Sequence, residues 1–162
     1  MSKSQPLTTW ISASCLAYMV QEGKRTVPNE TGGVLMGYWP SECTVVITHV
    51  IGPGSNARHT RYAFYPDLNF HDREIERVYL ESERISTYLG DWHTHPQGGN
   101  STSQRDRKTL LNIACAPEAR APKPLMAILS IRRHYSLAIW HWEGKHFLWH
   151  SRVSAGEVVV FK

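Results

Sequence analysis

Hydrophobic positions along the chain follow two patterns, and each predicts one kind of element. In three stretches apolar residues recur every three to four positions between polar ones, as in amphipathic helices. Other stretches are apolar, β-branched runs bounded by turn-forming residues, which predict strands. The predicted helices cover about residues 11–22, residues 67–85, and the segment from Ser103 through LLNIAC. The predicted strands are GGVLMGYW, TVVITHVI, STYLGDWHTH, PLMAILSIR, YSLAIWHW, KHFLWHSRV and EVVVF.

The order of these elements predicts the fold class. The first two strands are separated only by PSEC and therefore predict a hairpin. Ser12 or Ser14 suits the start of the first helix, and Gly23 suits its end. Helices alternate with strands, and no repeat or long linker divides the chain. We therefore expect an α/β protein, with residues 1–162 forming a single mixed-sheet domain flanked by helices.

The composition narrows the class of protein. Hydrophobic residues make up 41% of the 162 residues and charged residues 20%, which is too apolar for a disordered chain. The apolar run near the start is too short to span a membrane and has no signal-cleavage pattern, so we expect a cytoplasmic protein without membrane association. Cys15, Cys43 and Cys115 are too widely spaced for a disulfide framework or a CxxC site and predict buried, reduced thiols. The net charge of +4 permits an acidic partner without identifying one, because the positive charges are scattered.

One segment, GDWHTHPQGGNSTSQRD at residues 90–106, concentrates potential metal ligands. Side chains alternate along a strand, so His93 and His95 should lie on one face. Asp106 falls in the first turn of the next helix, from where its carboxylate could reach the same ion. Three protein ligands with a fourth position left to water are typical of catalytic zinc, whereas structural sites close that position. The segment therefore predicts a catalytic zinc site.

Each part of this motif also has a less specific interpretation. With nine histidines in 162 residues, roughly 0.5 H-x-H pairs are expected by chance. Ser103, followed three residues later by Asp106, is close to a capping box at a helix start. The joint occurrence of the pair, the turn and the acid at one spacing is what favours the metal site.

The joint pattern closely resembles the motif of the JAMM, or MPN-plus, family of zinc metalloproteases. The shared features are H-x-H-P, ten residues between His95 and Asp106, and S-x-x-D. Upstream, NETGGVLMGYW resembles the family's glutamate-bearing strand, and GPGSNARHTRYAFYPD, the amphipathic helix and YLGDWHTHP resemble its bacterial branch. The resemblance covers about residues 28–115 and implies the JAMM/MPN, cytidine deaminase-like fold with a Zn²⁺ cofactor. The chain departs from the family at Thr102, where proline often precedes the serine.

The resemblance puts Glu30 in the position of the family's general acid/base. A carboxylate outside the ligand set suits that role, because zinc lowers the pKa of bound water toward about 7 and Glu30 could take and return the proton. Without the zinc motif, Glu30 would be interpreted as a solvated glutamate at a strand start. Ser103 could donate a hydrogen bond to the oxyanion of the tetrahedral intermediate, with helix capping as its alternative role. Asp91 shares the strand face of the histidines and is interpreted as an imidazole partner, a substrate contact or a simple exposed acid.

Two other groups of residues have weaker functional interpretations. The first group is the histidines of WHWEGKHFLWH, namely His141, His146 and His150. They could suggest a second metal, but a glycine-centred hairpin with aromatic packing explains them better. The second group lies in the loop before the long helix and consists of Arg58, His59 and Arg61. These residues could contact an acidic or C-terminal substrate segment, although a solvated loop is the simpler interpretation.

The reaction class that follows is metal-dependent amide hydrolysis, and the resemblance implies cleavage at the C-terminus of a ubiquitin-like protein or its conjugates. An extended tail would suit a groove at a sheet edge. Similar short bacterial proteins are deconjugating peptidases encoded with ubiquitin-transfer-like enzymes, including those of CBASS-type antiphage systems, which makes such enzymes expected partners. The alternatives are a peptidase that processes a sulfur-carrier protein, a metal-free MPN scaffold and a nucleic-acid module. The complete set of five motif residues disfavours the scaffold, and the scattered charge disfavours nucleic acid.

Overall fold

Ten strands, three α-helices and one 3₁₀ helix form the part of the chain that the computed structural model describes, residues 6–132, 134–145 and 151–162. In chain order the elements are β1 (Thr8–Ser12), α1 (Ala13–Thr26), β2 (Gly32–Ser41), β3 (Thr44–Ile51), β4 (Arg58–His59), β5 (Phe64–Tyr65), α2 (Leu68–Glu81), β6 (Thr87–His95), α3 (Gln104–Cys115), the 3₁₀ helix (Pro117–Ala119), β7 (Leu125–Ile131), β8 (Tyr135–Lys145), β9 (Ser151–Ala155) and β10 (Glu157–Phe161). The predicted hairpin of β2 and β3 is confirmed, since the two strands pair antiparallel.

Eight of these strands form one mixed sheet in the order β10-β1-β3-β2-β6-β7-β8-β9. β1 is parallel to β3 and β10, and β6 is parallel to β7, whereas the other neighbours are antiparallel. β9 and β10 lie at opposite ends of this order although only Gly156 separates them in the chain. The Gly156 N–H donates to the Ile139 carbonyl of β8, and the Glu157 N–H donates to the Leu7 carbonyl beside β1. The sheet therefore curls until its two ends meet.

The three helices pack on the sheet through separate apolar clusters. α1 contributes Leu16 and Met19 to the largest cluster, which also contains Trp92 of β6. α2 packs Val78 against buried residues of β2 and β3, and α3 packs Leu110 against β7 and β8. The predicted class, a mixed α/β sheet flanked by helices, is confirmed.

The first helix begins and ends later than its sequence pattern predicts. Ile11 belongs to β1, and α1 starts only after Ser12, whose Oγ accepts a hydrogen bond from the Cys15 N–H at 3.2 Å. The prediction of a helix from residue 11 was wrong because β1 pairs with β3 and β10, which are distant in the sequence. The helix also continues past Gly23 to Thr26. Gly23 is a packing position inside the helix, because a larger side chain there would collide with Ile131 of β7.

The second helix starts where the sequence predicts but ends earlier than predicted. Asp67 caps α2 by accepting a hydrogen bond from a backbone N–H of the first turn. The helix ends at Glu81 instead of near Ile85. Glu83 and Arg84 have φ values of 56° and 67°, which lie in the left-handed region and stop a right-handed helix.

The three cysteines, all within the described part of the chain, form no disulfide and differ in exposure. Cys15 is buried as predicted, but Cys43 is partly exposed in the β2–β3 turn and Cys115 is exposed at the end of α3. The prediction of buried thiols was therefore wrong for two of them, because both lie where an element ends at the surface.

Part of the predicted strand KHFLWHSRV falls at residues 146–150, outside the described residues, and its end belongs to β9. Within the described ranges, no helix has the length and apolar character that crossing a membrane requires.

Candidate metal centre

His93 and His95 are held on one face of β6 by the packing of the residues between and beside them. Trp92 and Thr94 are buried, and the Trp92 Nε1–H donates a 3.0 Å hydrogen bond to the Ile51 carbonyl. Alternation along the strand turns the two histidines the other way. Their Nε2 atoms lie 3.0 Å apart.

Asp106 reaches the histidines from the first turn of α3. Ser103 and Asp106 form a capping box, in which Ser103 Oγ accepts from the Asp106 N–H at 3.2 Å and Asp106 Oδ2 accepts from the Ser103 N–H at 2.7 Å. This box fixes the carboxylate so that its other oxygen, Oδ1, lies 3.3 Å from His93 Nε2. His93, His95 and Asp106 each offer one potential ligand atom, and these atoms all lie within 4.8 Å of one another.

The protonation of the two imidazoles suits metal binding. His95 Nδ1–H donates a 2.9 Å hydrogen bond to the Gly99 carbonyl, so its Nε2 presents a lone pair to the cluster. Burial lowers the pKa of His93 to about 4, although Asp106 opposes the shift, so the His93 imidazole is neutral near pH 7. Two imidazole nitrogens and one carboxylate are a three-ligand donor set for a divalent metal ion. The residues present therefore fit such an ion.

Glu30 approaches the same cluster through the pairing of β2 with β6. Gly32 lies opposite His93 in this pairing, and beyond it the Thr94 N–H donates to the Thr31 carbonyl at 2.8 Å. Glu30 is the next residue, so it comes to the end of β6 that carries the histidines. Its side chain is partly buried, and burial raises the pKa of its carboxyl, an effect that a neighbouring histidine opposes.

Ser103, Glu30 and the three potential ligands line one cleft of about 750 Å³ between α2, α3 and β6. Ser103 is exposed, and its Oγ accepts the capping hydrogen bond from Asp106. The hydroxyl proton is therefore left to donate to a molecule in the cleft. Capping and donation, treated as alternatives from the sequence, are compatible in this geometry.

Asp91 lies on the same strand face but bonds to neither imidazole. Its Oδ1 accepts a 2.8 Å hydrogen bond from the Tyr88 hydroxyl, and the side chain is partly buried in the cleft. The interpretation of Asp91 as an imidazole partner was therefore wrong, because the carboxylate turns toward Tyr88.

Two of the loop residues considered as substrate contacts, Arg58 and His59, make local contacts. Arg58 stacks on Tyr65 with its guanidinium carbon 4.3 Å from the ring centroid. His59 Nδ1–H donates to the backbone carbonyl two residues before β2 at 2.9 Å. These residues and Arg61 are not among those that line the cleft, whereas Arg105 of α3 is. Arg105 also lies 5.3 Å from the Tyr65 ring centroid.

The histidines near the end of the chain do not assemble a second centre in the described part of the structure. His141 of β8 has its Nε2 3.3 Å from Ser154 Oγ and 3.4 Å from the Glu143 carboxylate. His146 and His150 lie outside the described residues. Among the residues described, the group of three potential ligands found is the one on β6 and α3.

Sequence reasoning missed two cleft residues. The first is His71 of α2, which is buried and whose Nε2–H donates to the Gly52 carbonyl at 2.8 Å. The second is Tyr88, whose hydroxyl donates a hydrogen bond to Asp91. The available signal was the spacing of Leu68, His71 and Ile75, which puts them on one helix face, and all three line the cleft.

Three known proteins are similar to this chain in sequence or fold. A probable metalloprotease, y4qB, of Sinorhizobium fredii is 44% identical over 125 residues, which cover 76% of each chain. A CD-NTase/cGAS isopeptidase of Enterobacter hormaechei is 29% identical over 128 residues, covering 75% of this chain and 67% of the relative. The solution structure of protein DSY2949 from Desulfitobacterium hafniense has the same fold, with a TM-score of 0.70 and 15% sequence identity over 95% of this chain and 93% of the other.

The family assignment rests on most of the chain. The family model described as prokaryotic homologs of the JAB domain matches residues 12–143, a range that includes all the candidate site residues. The resemblance to the bacterial JAMM branch and its fold is thereby confirmed. The chain belongs to the prokaryotic homologs of the JAB domain.

Proposed function

We propose that this chain is a JAMM-type zinc peptidase or isopeptidase whose ion is held by His93, His95 and Asp106. The observation that carries the proposal is the convergence of these three donors beside Glu30 in one cleft. The relatives reported above, a probable metalloprotease and an isopeptidase, support a hydrolase that uses a metal. Two imidazoles and one carboxylate, without a thiolate, are typical of catalytic zinc.

Each residue around the ion has its own role in the proposed reaction. When bound, zinc would supply a Lewis acid and lower the pKa of a coordinated water. Glu30 accepts a proton from the water as its oxygen bonds to the scissile carbonyl carbon. Ser103 Oγ–H donates to the oxyanion that forms. The carbon–nitrogen bond then breaks as Glu30 returns the proton to the departing amine nitrogen.

We further propose that the substrate is a ubiquitin-like protein or its conjugate, cleaved in the cytoplasm during antiphage defence. The relative from Enterobacter hormaechei named CD-NTase/cGAS isopeptidase supports a protein conjugate as the substrate. Ubiquitin-transfer-like enzymes are proposed as partners from the resemblance to the bacterial JAMM branch alone. We also propose that residues 1–162 form one domain. The parallel pairing of β1 with β10, from opposite ends of the chain, supports this.

Metal content and cleavage together test the function. Full-length protein purified under metal-sparing conditions should contain about one zinc per chain by elemental analysis. Incubated with a peptide mixture that includes branched peptides with a glycyl-lysine isopeptide bond, it should release new termini detectable by mass spectrometry. A zinc chelator should stop this release, and resupplied zinc should restore it. Protein that binds no zinc, or cleavage that persists after chelation, would contradict the proposal.

Replacing Ser103 with alanine should lower kcat by about 10²-fold, as loss of one oxyanion donor does in other hydrolases. The change also removes a helix cap, which costs about 1 kcal/mol of folding stability. Ser12→Ala is the matched control, since Ser12 caps α1 with an equivalent 3.2 Å hydrogen bond and is not a cleft residue. Both variants should melt at similar, slightly lowered temperatures, but only Ser103→Ala should lose turnover. Equal activity in the two variants would show that Ser103 serves only as a helix cap.

A further inference from the structure

The proposed chemistry leaves one end of the cleft unused. We name this region, formed by His71, Tyr88 and Asp91, the α2 end of the cleft. Asp91 precedes His93 by two residues on the same strand, so their Cα atoms are about 7 Å apart along β6. The region is therefore close to the reacting bond without touching the metal ligands.

Two hydrogen-bond acceptors at the α2 end lack a donor within the described part of the chain. Asp91 Oδ1 accepts from Tyr88, but Oδ2 accepts no hydrogen bond from a described residue. His71 Nε2–H donates to the Gly52 carbonyl, which leaves an acceptor lone pair on Nδ1. His71 is only 6% exposed. Even so, neither His71 Nδ1 nor Asp91 Oδ2 is fully enclosed by the protein. Both acceptors therefore remain accessible from the cleft.

The cleft carries a charge opposite to that of the whole chain. The chain has a net charge of +4, but among the described residues the charged side chains that line the cleft are five carboxylates and one guanidinium, that of Arg105. The carboxylates are Glu30, Asp72, Asp91, Asp106 and Glu118. A bound divalent ion would offset only part of this negative charge, so the cleft favours a cationic ligand.

We propose that the α2 end is a subsite for a cationic side chain of the substrate, a lysine or an arginine within about two residues of the bond that is cut; this rests on the function proposed above. Ammonium and guanidinium groups supply the donors that Asp91 Oδ2 and His71 Nδ1 lack, and they carry no acceptor. An extended substrate advances about 3.3–3.6 Å per residue, so a side chain that meets Asp91 belongs to a residue near the reacting amide.

The apolar lining beside these acceptors suits the rest of such a side chain. Val34, Leu68 and Ile75 line the same cleft. Lysine and arginine pack their methylene stems along apolar surface while the charged group makes polar contacts. The combination of apolar walls and two unpaired acceptors matches a long cationic side chain better than a short or acidic one.

Binding of two small probes tests the subsite without requiring hydrolysis. Nα-acetyl-lysinamide and its uncharged analogue Nα-acetyl-norleucinamide would be titrated into the zinc-loaded full chain and followed by amide chemical shifts. We expect lysine to bind at least about tenfold more tightly, the effect of one charge-assisted hydrogen bond. The shifts should centre on His71, Tyr88 and Asp91. Equal binding of the two probes by the wild-type chain would overturn the proposal.

Asp91→Asn tests which group provides the preference. The amide oxygen can still accept from Tyr88, so the fold is kept while the charge is removed. We expect the preference for lysine to fall to about twofold or less. Glu76→Gln, which removes an exposed carboxylate of α2 that does not line the cleft, should keep the tenfold preference. An unchanged preference in Asp91→Asn would overturn the assignment.

The same measurements separate this subsite from the proposed function. A lysine preference that depends on Asp91, in a protein that hydrolyses nothing, would support the subsite and contradict the peptidase. Zinc-dependent cleavage without the preference would support the peptidase and overturn the subsite. If both hold, the bonds cut in the peptide mixture should carry lysine or arginine within about two residues.

Discussion

Replacing Glu30 with glutamine should lower kcat by about 10²-fold to 10⁴-fold while the zinc content of the chain stays the same. Glutamine has almost the same shape as glutamate but cannot accept and return the proton of the attacking water. Glu30 does not provide any of the three converging ligand atoms, so removing its carboxylate should not release the ion. Its backbone position, set by the bonding of Thr31 to Thr94, should also be kept.

Turnover, zinc content and melting temperature measured on the same preparation of Glu30→Gln would decide its role. Glu76→Gln provides the control for removing one carboxylate, because Glu76 is exposed on α2 and does not line the cleft. It should retain wild-type turnover. If Glu30→Gln remained fully active, another group would have to handle the proton. If it lost its zinc, Glu30 would have to be counted with the ligands.

Features with local signals could be predicted from the sequence. The β2–β3 hairpin joins neighbouring segments, so its turn is visible in the chain itself. The start of α3 was predictable because the capping pair Ser103 and Asp106 is separated by a single helical turn. The shared face of His93 and His95 follows from strand alternation over three residues. A site built from two short segments next to each other in sequence is therefore accessible to sequence reasoning.

Features that depend on distant contacts could not be predicted in the same way. β1 has its partners in β3 and β10, so the sequence pattern did not predict this strand, and its last two residues, Ile11 and Ser12, fell in the predicted helix. The approach of Glu30 to the histidines depends on the pairing of β2 with β6, and only the family resemblance pointed to it. Alternation gave the correct face for Asp91, but not its partner Tyr88, because the direction of a side chain does not determine which neighbour it meets.

Asp106→Asn should weaken zinc binding by at least about 100-fold, more than the usual effect of losing a residue that only supports a ligand. Asp106 is the only anionic member of the three-residue group, since His93 is neutral near pH 7 and His95 presents a lone pair. An asparagine amide oxygen is a weaker donor to a divalent ion than a carboxylate. Hydrolysis should be lost together with the metal.

The capping box makes it possible to separate metal loss from unfolding. Asparagine can still accept the hydrogen bond from the Ser103 N–H, so metal-free Asp106→Asn should melt close to the metal-free wild-type chain. Asp67→Asn is the control, because the Asp67 carboxylate also accepts a backbone hydrogen bond at a helix start, as the N-cap of α2, and is not among the clustered ligands. It should bind zinc like the wild-type chain in competition with a chromophoric chelator. If Asp106→Asn also bound zinc that tightly, the carboxylate would be only a helix cap and the ion would need a different third ligand.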